Sequence, residues 1–266
     1  GMTQAKDLLS PFNPYMERCL DEYKYPKTTR AAIAGLRHYT VNGEERPLPS
    51  VTTILSKTKP KADQESIERW KARVGEKEAN KIKNEAAARG TIMHGLIEDW
   101  LHSRWHLDMT DMGQEAHRMA NVIIRQGLNG ERWGIQKIYG IEAVVHYPGL
   151  YAGSADLIAT WGLGTQNQSF HKLAIIDFKQ TNKPKREEWI GDYFLQSAAY
   201  AMAHDAVYGT NIEQGVILMC SRDGLFQHFV IEGDEFKQAK HNFLRRLDEY
   251  YRSVDNNSDA VVRGAG

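Results

Sequence analysis

The chain has 266 residues in which 34 basic side chains balance 34 acidic ones, so no overall positive charge marks it as a bulk nucleic-acid binder. Its two cysteines, Cys19 and Cys220, are far apart and form no Cys-x-x-Cys pair, which excludes a disulfide framework, a zinc ribbon and a four-cysteine iron–sulfur cluster. No run of about 18 apolar residues is present to cross a bilayer, and the length suits one large globular domain with an elaborated N-terminus.

The first residues read as neither a secretory signal nor an arginine-rich transit segment, with Gly1 ahead of Met2 as a remnant of tag removal. The expectation is a soluble, cytoplasmic protein with no membrane partner. Residues 1–48 read as an N-terminal extension. A short helix is expected around Tyr15 to Tyr23, then a small hairpin from His38 to Pro47 turning on Asn42-Gly43, a strong two-residue turn signal. Pro49-Ser-Val-Thr-Thr-Ile-Leu55 opens a helix that Ser50 or Thr52 can cap. Free N–H groups and hydroxyls at such an end also suit a phosphate, although capping is the simpler role.

From Gln64 to His102 the pattern is helical, in pieces broken near Gly75 and at Arg89-Gly90. Between Lys57 and Arg89 basic residues outnumber acids ten to six, which describes a solvated helix face as well as a phosphate track. Ile92, Met93, Leu96, Ile97 and Trp100 recur at helical spacing as a buried face, and His94 and Glu98, four apart, project together beside it. A lone histidine there is usually structural, but a neutral imidazole can also supply a nitrogen to a metal. Residues 103 to 137 read as helical again, with Met119, Val122, Ile123 and Ile124 as core. Gly140 to His146 is a strand carrying Glu142, suited equally to a salt bridge and to supporting an acidic site.

Two further strands, Tyr151 to Ile158 and Lys172 to Lys179, each hold an aspartate where a buried strand normally holds an aliphatic side chain. The polar, glycine-containing loop from Trp161 to His171 makes them an antiparallel hairpin, which sets Asp156 beside Asp177. Alternation puts Leu173, Ile175, Asp177 and Lys179 on one face and Ala174, Ile176 and Phe178 on the other. Two carboxylates that close repel unless a cation lies between them, and hard oxygen ligands select Mg²⁺ or Mn²⁺. Lys179 adds an ammonium at the rim, and the set suits phosphodiester hydrolysis. A single Asp-x-Lys is more often an ordinary ion pair, so the weight rests on its neighbours.

A basic knot at Lys183, Lys185 and Arg186 precedes a helix expected from Glu187 to His204. Ile190, Phe194, Ala198 and Ala201 form its core stripe. Trp189, Tyr193, Gln196 and Tyr200 form a second stripe that can stack on bases, although packing is the commoner use of such a face. A hairpin over Asp223-Gly224, a closing amphipathic helix from Glu235 to Tyr251 and a disordered polar tail over residues 255–266 complete the reading.

The order of His94 on a helix, Glu142 on a strand, Gly153-Ser-Ala-Asp156, Asp177-Phe-Lys179 and Gln196-Ser-Ala-Ala-Tyr200 resembles the RecB-like branch of the PD-(D/E)XK nuclease superfamily. Within that branch the chain is similar to the mitochondrial genome maintenance exonuclease and its phage and bacterial relatives, from Pro49-Ser-Val-Thr52 to Leu247-Asp-Glu-Tyr250. Ala155 stands where the superfamily name has proline, and the missing cysteines separate the chain from the iron–sulfur branch. The resemblance implies an α/β, restriction-endonuclease-like core over residues 49–254, with a central mixed sheet flanked by helices and a helical arch at about residues 64–102.

It also implies a metal-dependent DNA exonuclease that uses Mg²⁺ or Mn²⁺, prefers single strands with free ends, and works in replication, repair or recombination. His94, Asp156, Asp177 and the Phe178 carbonyl would hold the metal, and Lys179 would act on the water or the scissile phosphate. Gln196 and Tyr200 would shape the site, while Ser50, Thr52, Lys183, Lys185 and Trp189 would meet DNA. A structure-specific or restriction-like endonuclease would share every metal residue, and a DNA-binding subunit with a decayed site is the non-enzymatic alternative.

Overall fold

The computed structural model describes residues 17–104, 108–164 and 171–265, with side chains as far as residue 255. Among the described residues six strands build the main sheet: β1 (Glu17–Arg18), β5 (Trp133–Tyr147), β6 (Tyr151–Leu163), β7 (His171–Thr181), β8 (Gln214–Ser221) and β9 (Phe226–Glu232), side by side in that order. The β1/β5 and β7/β8 pairs are parallel and the rest antiparallel, so the sheet is mixed. Every residue of β8 is buried, as a central strand covered on both faces requires.

Helices cover the two faces. On one lie α3 (Glu76–Leu101) and α4 (Asp111–Ile123), where Met93, Leu101 and Met119 pack on Ile176 and Phe178. On the other lie α5 (Gly191–Tyr208) and α6 (Gly233–Ala265), where Ala198 and Phe243 meet Ile158, Ile175 and Ile217. The split of Ile175 from Ile176 and Phe178 follows from strand alternation. A three-stranded sheet of β2 (Thr28–Ile33), β3 (Leu36–Val41) and β4 (Leu48–Pro49) docks Tyr39, Val41 and Leu48 against Ala152 of β6. It leads into α1 (Val51–Lys57), then α2 (Lys61–Val74), which buries none of its residues. Among the described residues no helix is long and apolar enough to cross a membrane.

Several expected boundaries move. The described part of the helix expected around Tyr15 to Tyr23 is instead the two-residue strand β1 and a turn. The expected break at Gly75 separates α2 from α3, but α3 runs unbroken through Arg89-Gly90, because tertiary contacts hold it there: Gln180 donates to the Ala86 carbonyl, and Arg89 donates to the side-chain oxygens of Gln180 and Asn182. A glycine costs a helix interior only about 1 kcal/mol, and such contacts override it. The helical pattern expected to reach residue 137 stops at Ile123, continues as a π-helical turn over Ile124–Leu128, and β5 begins at Trp133. Register shifts between Ile135 and Gly140 interrupt the period-two signal, which hid the first half of that strand. Glu187–Trp189 form a 3₁₀ turn rather than the start of α5, and α6 extends past the Tyr251 expected as its end. The tip of the β6–β7 hairpin lies outside the described residues.

One buried network fastens the connection between β1 and β2 to α5. His204 is fully buried; its Nδ1 lies 2.7 Å from Thr210 Oγ1, and its Nε2 lies 2.8 Å from the Tyr25 hydroxyl. Thr210 donates its own proton to Asp205 at 2.7 Å, so it accepts from Nδ1–H and leaves Nε2 to accept from Tyr25. Neutral imidazole satisfies every contact, and burial pushes the His204 pKa down to about 4. Unfolded histidine titrates near 6.5, so the unfolded chain binds the proton more tightly. The stability contributed by neutral His204 is therefore complete above about pH 6.5 and is lost as pH falls to about 4. In urea unfolding, the advantage of wild type over His204→Gln should shrink by about 2 kcal/mol between pH 7 and pH 4.5. A pH-independent difference would refute this assignment.

Candidate metal centre

At the heart of the molecule two aspartates meet on neighbouring strands. The β6–β7 register pairs Leu157 with Ile176, which sets Asp156 beside Asp177. Helix α3 brings His94 over them, and its Nε2 lies 3.1 Å from Asp156 Oδ2. The same carboxylate oxygen accepts from the Phe178 backbone N–H at 2.9 Å. Lys179 Nζ lies 3.0 Å from Asp177 Oδ2 and 4.6 Å from the centre of the Tyr193 ring. That buried Asp177 oxygen has an ion contact but no aligned hydrogen bond, so it keeps lone pairs free for a further partner.

Electrostatics follow from this crowding. Burial pushes Asp177 up to about 7, and the neighbouring Asp156 adds to the rise against the pull of Lys179. For Asp156 burial is outweighed by His94 and Lys179, which hold its carboxyl below the ordinary carboxylate range. His94 rises to about 9 because Asp156 favours the imidazolium more than burial disfavours it. One of two adjoining carboxylates stays charged at the other's expense, as like charges in a dry site require.

The donor set fits a divalent cation. Among the described residues His94, Asp156 and Asp177 can each offer one ligand atom with all three atoms within 4.8 Å of one another. The histidine is already oriented as a ligand, because Nδ1 lies 2.7 Å from the Gly90 carbonyl, a contact that fixes N–H there and turns Nε2 toward the carboxylates. One nitrogen and two carboxylates suit a hard or borderline metal, and the unaligned oxygen of Asp177 is a ready ligand.

Around this centre lies a cavity of about 210 Å³. Gln196 and Tyr200 of α5 form one wall, with the Gln196 amide donating to the Tyr200 hydroxyl at 3.1 Å. Ser50 and Thr52 reach the same cavity, but the Ser50 hydroxyl is already committed to Thr53 N–H as the cap of α1. Glu142 enters with a left-handed backbone, φ 47°, which carries a cost of order 1–3 kcal/mol for a residue with a side chain. Its carboxylate faces Glu98, which is pushed up to about 7 by burial and by Glu142, and it lies 3.7 Å from Arg30. Lys183, Lys185 and Trp189 do not line the cavity; Trp189 is 63% exposed, beside the Arg186 guanidinium.

Three lining residues carried no signal of function in the sequence: Arg30, Arg37 and Tyr39 of the small sheet. Their hairpin turns on Ala34-Gly35, both at positive φ, and an alanine in that place lacks the Asn-Gly signature that advertises such a turn. The period-two spacing of Arg30 with Ala32 and of Arg37 with Tyr39 is the signal that could have found them.

Gly153 of the Gly-x-x-Asp segment has a steric reason to be glycine. A Cβ there would stand 2.4 Å from Tyr200 Cε1. Gly153→Ala should therefore displace Tyr200 from the cavity wall and lower unfolding stability by about 1–3 kcal/mol; urea denaturation that shows no loss would contradict the packing described.

No protein-family model matches the chain. It is similar to mitochondrial genome maintenance exonuclease 1 of Xenopus tropicalis, with 29% identity over 230 residues, 82% of this chain and 61% of that protein. The mouse (Mus musculus) protein of the same name is 29% identical over 227 residues, covering 80% and 62%. The human (Homo sapiens) protein is 27% identical over 223 residues, covering 79% and 60%. The chain thus spans about three fifths of the length of the curated relatives it matches, and these similarities support a nuclease family.

Proposed function

We propose that the chain is a divalent-metal-dependent deoxyribonuclease of the PD-(D/E)XK superfamily, RecB-like branch. In this reading it is an exonuclease on single-stranded DNA with free ends, acting in replication, repair or recombination. The observation that carries it is the convergence of His94, Asp156 and Asp177 within 4.8 Å, with the Lys179 ammonium 3.0 Å from Asp177. The names of the relatives support DNA as substrate and end-dependent cutting as the mode.

His94 Nε2 and one oxygen each from Asp156 and Asp177 would hold Mg²⁺ or Mn²⁺, with the Phe178 carbonyl as a further ligand. When bound, the ion would polarise a phosphoryl oxygen and lower the pKa of a bound water. Lys179, held between Asp177 and the Tyr193 ring, supplies a fixed positive charge where the phosphate gains negative charge. The Gly90 carbonyl keeps the imidazole tautomer that presents Nε2, and the Gln196–Tyr200 pair holds the wall against which the strand lies. Ser50 and Thr52 at one edge, and Lys183, Lys185 and Trp189 beyond it, are the proposed DNA contacts.

Two outcomes test the reading. Mg²⁺ or Mn²⁺ at about a hundred times its dissociation constant should raise unfolding free energy by about 2.7 kcal/mol, an increment that Asp177→Asn removes. A wild-type melting curve indifferent to both ions would count against the metal site. With end-labelled oligonucleotides, wild type should shorten linear single strands and spare a circular one, while Lys179→Ala keeps binding and loses roughly 100-fold or more in turnover. Cutting of the circle would favour the endonuclease alternative, and an equally active Lys179→Ala would remove the lysine from the mechanism.

A further inference from the structure

The small N-terminal sheet turns two guanidinium groups toward the carboxylate cluster. In β2 and β3 Arg30 pairs with Tyr39, and Ala32 pairs with Arg37. Cross-strand partners share a face, as do residues two apart, so Arg30, Arg37 and Tyr39 lie on one face. Tyr39 is 2% exposed and fastens that face to β6 with Val41 and Leu48, while Arg30 and Arg37 line the cavity that holds His94, Asp156 and Asp177. The sheet is further tied to α1: the Ser50 N–H and the Thr53 hydroxyl both donate to the Arg37 carbonyl.

The charge balance of the cavity leaves these arginines a role. Its lining contains three carboxylates, Glu142, Asp156 and Asp177, against one lysine, Lys179. That set is net negative by itself and one divalent ion only brings it to neutrality, so net attraction for a phosphate has to come from further cations facing it. Arg30 contacts Glu142 only loosely, at 3.7 Å with its side chain 52% exposed, so this pair does not commit its guanidinium. An exposed pair of that kind is weak, and a guanidinium fork matches two phosphate oxygens better than one distant carboxylate oxygen.

We propose that Arg30 and Arg37 form a seat for an internal phosphodiester of the nucleic-acid strand, next to the scissile one, which makes the small sheet part of the substrate site. This rests on the nuclease reading above. The two arginines act as binding residues: they hold the strand in register over the carboxylates and take no part in bond cleavage.

The test uses the full chain, Ca²⁺ to hold off cutting, and a fluorescent single-stranded oligonucleotide with either a 5′-hydroxyl or a 5′-phosphate. Arg30→Ala and Arg37→Ala should each weaken binding about tenfold and lower the slope of log affinity against log salt by about one. Turnover at saturating strand in Mg²⁺ should stay within about threefold of wild type, so the loss falls on KM. Arg30→Lys with Arg37→Lys should keep the salt slope and lose part of the affinity, because the charge remains and the fork does not. A neutral methylphosphonate at one internal position should weaken wild type but not the double alanine variant, with both kinds of 5′ end. Alanine variants with wild-type affinity and salt slope overturn the proposal, as does a loss confined to 5′-phosphorylated strands. Wild type that cuts while the variants bind unchanged sinks this inference alone, whereas wild type that neither binds nor cuts sinks the nuclease reading as well.

Discussion

The repulsion between Asp156 and Asp177 organises this molecule. Two carboxylates on adjacent strands, Asp177 buried and Asp156 half-buried, cannot remain charged together without positive partners at close range. The fold brings those partners from three directions: Lys179 from the same strand, His94 from the helix above, and the Phe178 N–H from the sheet itself. What they leave unsatisfied is an oxygen of Asp177 that has a charge beside it but no aligned donor. That oxygen, with His94 and Asp156 beside it, is the donor set on which the proposed metal site rests.

Bringing His94 to its place needs α3 to stay close to the sheet, and a polar network holds it there. Arg89, 2% exposed, donates to Gln180 and Asn182 at the end of β7 and pairs with Glu115 of α4, which also pairs with Arg222 after β8. Gln180 reaches back to the Ala86 carbonyl on the same helix and passes close to Gly90, where an added Cβ would meet its side chain at 3.4 Å, an ordinary van der Waals contact. The strand that carries Asp177 and Lys179 and the helix that carries His94 are therefore cross-linked close to the site. A buried arginine is tolerable there because acceptors on separate elements face its guanidinium.

The small sheet has a different part. It adds no carboxylate, and its hydrophobic anchor is modest: Tyr39, Val41 and Leu48 against Ala152. Its position at the rim nevertheless places arginines opposite the acids, so a cavity rich in negative charge on the sheet side is balanced from outside the sheet. Glu142 lies between these two sides, held at a backbone angle that few non-glycine residues adopt and flanked by Glu98 and Arg30. Strain of this sort persists only where surrounding contacts enforce it.

Much of this is legible in the chain itself. Aspartates in apolar strands, the lysine two residues on, the histidine on an apolar-faced helix and the Gln-x-x-x-Tyr spacing are local patterns, and each names its element through a period of two or 3.6. The β6–β7 hairpin follows from the same periodicities and its turn-rich loop, whereas the α/β class comes from the family resemblance those motifs carry. Tertiary structure alone decided the rest. Arg30 and Arg37 stand far along the chain from Asp156 and Asp177, and only docking of the Ala34-Gly35 hairpin brings them to the cavity. The continuity of α3 through Gly90 and the early start of β5 were hidden because contacts distant in the chain, and a bulge, outweigh local propensity. Whether Trp189 shares the stripe of Gln196 and Tyr200 turned on a 3₁₀ turn that takes it off the helix. Spacing along the chain assigns side chains to faces, but which faces meet depends on packing between segments the sequence keeps apart.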